Sequence, residues 1–453
     1  MNIIDGILKT AKARKLYQSI AELPILDYHC HLEAEDIYVD SQFNDISEIW
    51  LKDDHYKWRL MRQSGEREMF VTGNASSSEK FYAYIKSIEN AIGNPTRDWS
   101  LLELDTFFGI KEKITTDRAH ELLININNKI KENPISPRKI LKALNVKYIA
   151  TTDDPTSDLK YHSKLMKDKD PGFNTKVTPT FRVDKCFNIK ATNFNEYITS
   201  FNGKLLDFKE FLDILFEKAK HFVAHGCVFS DIGIEVFPYN IYNASHEKAE
   251  QAYNRALSGD EITDTMMNDY ISYLYLYWFE ICLHCGFTIQ LHLGVIRNAN
   301  RSMYSLVGAD SGFDIAGGDI DISALKNLLN RVKELYGDLP NIIAYVLNPT
   351  SYHSLIILSG AFKNLTVGVP WWFNDHKKGL VEYFDCMLSL SNISTIPGMT
   401  TDGRSYLAYV RHAYFRAVLA NYLASQNDYL STITNVAKKI AYQNMADRLN
   451  IQD

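Results

Sequence analysis

The chain has 453 residues, of which 46% are hydrophobic and 23% charged, the balance of a globular protein with ample material for a large core. A formal net charge of −6 argues against nucleic acid as the main partner, because phosphate binding needs a basic face. No apolar run approaches the roughly 20 residues needed to cross a bilayer, so no membrane span is expected.

Residues 1–19 alternate polar and apolar side chains at helical spacing and carry Lys9, Lys12, Arg14 and Lys15. They contain neither an apolar signal core nor a small-residue cleavage site, so a cytoplasmic protein is expected. Cys30, Cys186, Cys227, Cys282, Cys285 and Cys386 follow no framework pattern and read as reduced thiols. Cys282-Leu283-His284-Cys285 lacks a second ligand pair at zinc-site spacing and reads as helix-packing thiols.

Along the chain, short β-rich apolar runs alternate with helical patterns. The strands are expected at 24–29, 146–152, 176–182, 226–231, 286–292, 342–348, 365–370 and 395–402. Eight strand–helix units imply a parallel sheet closed into an α/β, distorted TIM (β/α)8 barrel. More than a hundred residues separate the first two strands. They read as mostly helical, with amphipathic stretches at 78–91 and 117–132, and as a helical insertion between strands 1 and 2. The expected organisation is therefore an N-terminal helix and first strand in 1–32, a helical insertion over the barrel mouth in 33–145, and the remaining barrel with its C-terminal helices in 146–453. Helical excursions at 208–225 and 244–285 flank the fourth strand, and helices at 405–425 and 428–449 close the chain.

Nearly every strand ends on a residue able to do chemistry: His29 and His31, Asp153 and Asp154, Arg182, Asp231, His292, Asn348, Trp371 and Trp372, then Asp402 and Arg404. Barrel active sites lie at that C-terminal rim. In Asp27-Tyr28-His29-Cys30-His31, two histidines at i and i+2 of an extended segment point to one side and can share a metal ion. His292 and Asp402, ending strands five and eight, complete a set of three imidazoles and a carboxylate. That set suits Zn2+, with Mn2+ or another divalent ion as the variant.

A His-x-His pair on strand one, a histidine on strand five and an aspartate on strand eight resemble the amidohydrolase superfamily. The fourth strand lacks the bridging lysine and the sixth the second histidine of its binuclear members, so one metal ion is expected. The resemblance narrows to uronate isomerases through Asp27-Tyr28-His29-Cys30-His31-Leu32, Asp54-His55-Tyr56-Lys57-Trp58-Arg59, Thr151-Thr152-Asp153-Asp154-Pro155, residues 182–188, Ala224-His225-Gly226-Cys227, Trp371-Trp372-Phe373-Asn374-Asp375 and Thr401-Asp402-Gly403-Arg404-Ser405. It implies aldose–ketose isomerisation of hexuronates, D-glucuronate to D-fructuronate and D-galacturonate to D-tagaturonate, by proton transfer through a cis-enediol. The implied metal ligands are His29, His31 and Asp402 with His292 nearby. Asp402, Tyr56 and Arg404 are the implied catalytic residues, and His55, Arg182, Asp231, Arg404, Trp371 and Trp372 the substrate-binding ones. The partner is a small hexuronate, and a homo-oligomer is left open.

The alternative is a mononuclear metal-dependent hydrolase of an amide, ester or lactone bearing a carboxylate; a non-catalytic sugar-acid binding protein is a further one. Plainer structural roles also compete. Asp153-Asp154-Pro155 fits a helix cap, Arg182 and Asp231 fit a strand-end ion pair, Tyr56 fits an ordinary amphipathic helix, and the two tryptophans fit core packing. Gly403 replaces a serine frequent in the resembled pattern, which predicts a looser Arg404.

Overall fold

Short runs rich in β-branched and aromatic residues form the wall of the molecule, and the intervening helices return the chain so that neighbouring strands run parallel. The structure, a computed structural model, describes residues 3–451. Its strands are β1 (Ile25–Asp27), β2 (Val146–Ala150), β3 (Lys176–Thr178), β4 (Thr180–Arg182), β5 (Phe229–Ile234), β6 (Thr288–Leu293), β7 (Val295–Ile296), β8 (Ile315–Ala316), β9 (Ile342–Val346) and β10 (Leu365–Val367). One parallel sheet runs β1-β2-β3 and another β10-β9-β6-β5-β4, while β7 and β8 form a small antiparallel pair.

β3 and β4 are the two halves of the expected 176–182 strand. Pro179 lies between them and has no N–H to give to a ladder. The backbone nevertheless bridges the break, since Thr151 N and Asp153 N donate to the carbonyls of Thr178 and Thr180. The two sheets therefore continue one wall.

Residues 395–402, expected as the eighth strand, carry no ladder among the described residues. Pro397 removes a donor, and side chains take the place of backbone pairing. Thr400 Oγ1 donates to Asp27 Oδ1 (2.6 Å), and Thr401 gives its N–H to Asp27 Oδ1 (2.8 Å) and its hydroxyl to Asp27 Oδ2 (2.5 Å). Only at the rim do backbone bonds resume, Asp402 N to His29 O and His31 N to Gly403 O. The segment thus closes a distorted (β/α)8 barrel by clasping the buried Asp27 carboxylate.

Period two decides which side chains enter the barrel. Leu26, Tyr28, Tyr148, Ala150, Phe229, Ile343 and Tyr345 form an interior apolar cluster with Met445 and Leu449 from the C-terminal segment. Phe181, Ile289, Leu291, Ile342 and Ala344 alternate with them and join the large outer core against the helices. Above the interior apolar layer the same inward positions become Arg182, Asp231 and His292.

Residues between β1 and β2 are helical, including Ala34–Val39, Ile46–Leu51, His55–Gln63, Ser77–Glu89, Pro95–Phe108 and Ala119–Glu132. Pro95 takes the first helical position behind the Asn94 cap, where its missing N–H leaves no bond unmade. These helices share their own apolar cluster, centred on Trp50, Phe81, Tyr84 and Leu104, with Ile25, Val146 and Ile149 of the barrel wall. The expected N-terminal helix divides into Ile3–Ile7 and Ala11–Gln18; Met1 lies outside the described residues. Among the described residues, no helix is long and apolar enough to cross a membrane.

Gly368 follows β10, where a methyl group would clash with the ring of the buried Tyr345. Gly368→Ala should therefore destabilise the fold by about 1–3 kcal/mol through overpacking. Chemical denaturation measures this, and an unchanged midpoint would contradict it.

Candidate active site

The inward side chains of the rim converge on one cavity of about 770 Å³. It is lined by His29, His31, His55, Arg182, His292, Trp371, Trp372, Asp402 and Arg404, among others. These are the residues that the resemblance implies for metal, catalysis and substrate, except two. Asp231 lies at the base of the site, and Tyr56 borders a smaller neighbouring cavity of about 170 Å³ with its hydroxyl turned to Asp402.

β1 ends at Asp27, yet pairing persists, because Cys30 N donates to Ala150 O. His29 and His31 consequently stay on an extended stretch and face the same centre, ring centroids 5.3 Å apart. Two donor groups overlap there. His29, His31 and Asp402 form one, and His29, Asp231 and His292 the other, with the donor atoms of each within 4.8 Å of one another. Asp231 thus stands among the donors as well as beside Arg182. The reason is register: the strand begins at Phe229 and runs to Ile234, so Asp231 points inward well before its end.

Asp402 divides its two oxygens. Oδ1 lies 3.4 Å from His29 Nε2 and 3.1 Å from His31 Nε2, while Oδ2 accepts from the Tyr56 hydroxyl at 3.3 Å. Asp402 has φ 48°, a left-handed conformation that costs a non-glycine residue about 1–2 kcal/mol but that Asp tolerates better than most. Gly403, next in the chain, is held by Thr401 Oγ1 at its N–H and by the His31 N–H at its carbonyl. The expected loosening of Arg404 has no counterpart in these bonds.

The electrostatics prepare the donors for a cation. Burial holds His31 at about 3, so its imidazole is neutral, and it drives His292 well below the usual histidine range. Burial alone would raise the Asp402 carboxyl, but hydrogen bonds from His29 and His31 outweigh it and keep the group ionised. Thr152 Oγ1 lies 2.9 Å from His31 Nδ1 and leaves Nε2 to face the centre. His29 Nδ1 and Asp231 Oδ1 are buried without a hydrogen-bond partner. The neutral imidazoles of His31 and His292, the ionised Asp402 carboxylate and the unpaired Asp231 oxygen fit a divalent metal ion.

Arg182 is committed to neighbours, with Nη1 2.9 Å from Asp231 and Nε 3.1 Å from Asp184. The strand-end ion pair therefore exists, and it lies on the cavity wall. Arg404 is freer: Nη2 is 3.3 Å from Asp310, whose side chain is largely exposed, and Nε has no partner. His55 stacks on Tyr56 at 5.1 Å and is held neutral mainly by burial, then by Arg404. Trp371 is buried against His292 and Tyr345, whereas Trp372 meets His55 at 5.7 Å. Asp154 caps no helix. Its carboxylate makes a turn with Thr156 N, and the helix begins only at Lys160.

Sequence reasoning missed Arg297, Asp310 and Asp314 on the cavity wall, and Arg411 and Asp375 beneath it. Arg297 bonds Asp314 at 2.7 Å and lies over the Trp372 ring. Asp375 occurs in a quoted motif, yet only burial, which pushes its carboxyl up to about 8, distinguishes it.

A parallel barrel whose rim gathers three imidazoles and two carboxylates defines an amidohydrolase-like enzyme with a donor set suited to a divalent metal. A family model described as glucuronate isomerase matches residues 3–448. The chain is 36% identical to the uronate isomerase of Caldicellulosiruptor bescii over 458 aligned positions, covering 97% of each. It is similar to the uronate isomerase structure from Thermotoga maritima at 31% identity and a TM-score of 0.93, with 98% of each chain covered. The chain belongs to the glucuronate isomerase family, and the hydrolase alternative is not favoured.

Beneath Tyr56, the buried Asp54 carboxylate caps the helix His55–Gln63 and meets Lys57 at 2.8 Å. Burial would raise it, but Lys57 and then Arg411 outweigh that and hold it at about 2. A carboxyl depressed from 3.8 to about 2 adds about 2 kcal/mol of stability above its unfolded value, lost as pH falls through the folded one. Asp54→Asn keeps the cap but not the charge. Its stability deficit against the natural protein should narrow by about that amount between pH 5 and pH 2 in urea titrations, and parallel curves would contradict this.

Proposed function

We propose that this enzyme interconverts a hexuronate aldose and its 2-ketose, D-glucuronate with D-fructuronate and D-galacturonate with D-tagaturonate, by proton transfer through a cis-enediol. The observation that carries this reading is the divided Asp402 carboxylate, one oxygen among the imidazoles and the other 3.3 Å from the Tyr56 hydroxyl. Isomerisation needs a base for the C2 proton, a second group to exchange a hydroxyl proton, and positive charge beside the developing enediolate.

In this reading Asp402 takes the proton from C2 and returns it to C1. Being ionised, it enters the cycle in the basic form. Tyr56 keeps its proton, because burial and then the Asp402 charge raise its hydroxyl well above the usual tyrosine range. It accordingly serves as the partner that lends and regains a hydroxyl proton. Arg404 offers its uncommitted guanidinium edge to the C6 carboxylate or the enediolate. Arg182, tied to Asp231 and Asp184, adds positive charge from a fixed position. His55 and Trp372 form one wall for the sugar.

A divalent ion, Zn2+ before Mn2+, would be held by His29, His31 and Asp402 with His292 and Asp231 adjoining, and would act as a Lewis acid toward the substrate oxygens. Residues 33–145 are read as a helical insertion that covers the mouth, since Glu33 and His55 reach the cavity from it. Six free cysteines fit a cytoplasmic setting, where thiols stay reduced.

Incubation with D-glucuronate or D-galacturonate in deuterated water, followed by NMR, should reveal a 2-ketose with deuterium entering at C1 or C2. A sugar recovered unchanged, with no exchange, would overturn the proposal. Arg404→Lys should lower kcat/KM about tenfold or more, mainly through KM, because a point charge replaces a planar fork. An unaltered KM would remove Arg404 from carboxylate binding.

A further inference from the structure

Arg411 is a buried cation that lies outside both the donor cluster and the cavity wall. It opens the helix Arg411–Ala424, and its side chain is only 3% exposed. Its guanidinium carbon lies 4.5 Å from the centre of the Tyr56 ring and 4.2 Å from that of Trp99. Trp99 belongs to the helix Pro95–Phe108, so the guanidinium joins two helices of the segment between β1 and β2.

The charge is met only at a distance. Asp54 and Asp375 lie 3.9 Å and 4.0 Å away, and Nε has no hydrogen-bond partner. Nη1 donates to the carbonyl of Thr401 at 3.4 Å. A buried charge with such loose acidic partners is a poor source of stability, and an apolar residue of similar size would pack this helix end at lower cost. What the planar group does supply is alignment. The guanidinium packs over the Tyr56 ring, and its Nη1 reaches the peptide that leads into Asp402. The Tyr56 ring and the peptide before Asp402, whose hydroxyl and carboxylate meet from 346 positions apart in sequence, thereby share one side-chain neighbour.

We propose that Arg411 is a positioning residue for the isomerisation, holding the Tyr56 hydroxyl in register with Asp402 Oδ2 through its contacts with the Tyr56 ring and the Thr401 carbonyl. This role rests on the isomerase reading, in which those two groups exchange protons. Lysine retains the charge but has neither the plane that lies against the ring nor the fork that reaches Thr401.

The test is a double-mutant cycle on the full-length enzyme as purified, with Arg411→Lys, Tyr56→Phe and the pair. It measures kcat and KM for D-glucuronate, the thermal midpoint and the metal content of each protein. Each single variant should lower kcat by about 30-fold or more with KM within about threefold, a loss of the size that a small misplacement produces. The double variant should fall no more than about threefold below the poorer single one, because Arg411 acts through the hydroxyl that Tyr56→Phe removes. Metal content should remain unchanged. Multiplicative losses, or an Arg411→Lys enzyme within threefold of the natural kcat, would overturn the role. Should Arg411→Lys fail to fold, Trp99→Phe thins the second ring packed against the guanidinium and enters the same cycle under the same criteria. Absence of turnover by the unaltered enzyme would instead defeat the isomerase reading itself, and this role with it.

Discussion

Gathering His31, Asp231, His292 and Asp402 around the buried His29 is the constraint to which the rest of the rim answers. His29, Asp231, His292 and Asp402 are each at most 6% exposed, and only His31 reaches solvent appreciably. Carboxylates at such depth are costly unless charge and hydrogen bonds compensate them. The protein supplies part of that compensation through Arg182 on Asp231 and the imidazoles on Asp402. The remainder, signalled by the unmet His29 Nδ1 and Asp231 Oδ1, is what a divalent cation would provide.

Strand periodicity and a side-chain clasp make the arrangement possible. Inward positions along β4, β5 and β6 change from apolar or neutral low in the barrel to ionisable at the rim, so neighbouring strands deliver Arg182, Asp231 and His292 in adjacent registers. The eighth segment arrives by a different device, in which Asp27 grips Thr400 and Thr401 and thereby sets Asp402 beside His29 and His31. Asp27 is fully buried, and burial pushes its carboxyl up while the two threonines pull it down. Conformational strain at Asp402 accompanies a carboxylate that faces His29, His31 and Tyr56 at once.

These same causes explain what could be read without coordinates. His29 and His31 were legible because period two alone places them on one side, and His292 because it follows an apolar run of strand length. The eighth element reads as a strand because its threonine-rich composition looks like β structure, whereas Pro397 and the Asp27 clasp replace its ladder. Asp231 reads as a substrate or ion-pair residue because the sequence places its strand three residues early, which hides its depth in the barrel. Tyr56 sits on an ordinary helix and was singled out only through the family resemblance. Arg297 and Arg411 are single arginines whose partners lie far off in sequence, so no local pattern marks them.

Two layers of charge therefore meet at Asp402: the donor cluster on the cavity side, and the Asp54, Lys57, Arg411 and Asp375 group beneath Tyr56. The first is a donor set suited to a cation, and the second packs against the Tyr56 ring, whose hydroxyl meets Asp402. The account depends most on the first. Anomalous diffraction at the zinc absorption edge, from crystals grown with Zn2+, tests it directly. The account predicts a single strong peak about 2.0–2.2 Å from at least three donor atoms of His29, His31, Asp231, His292 and Asp402. A peak elsewhere in the molecule, or none among these five side chains, would contradict it.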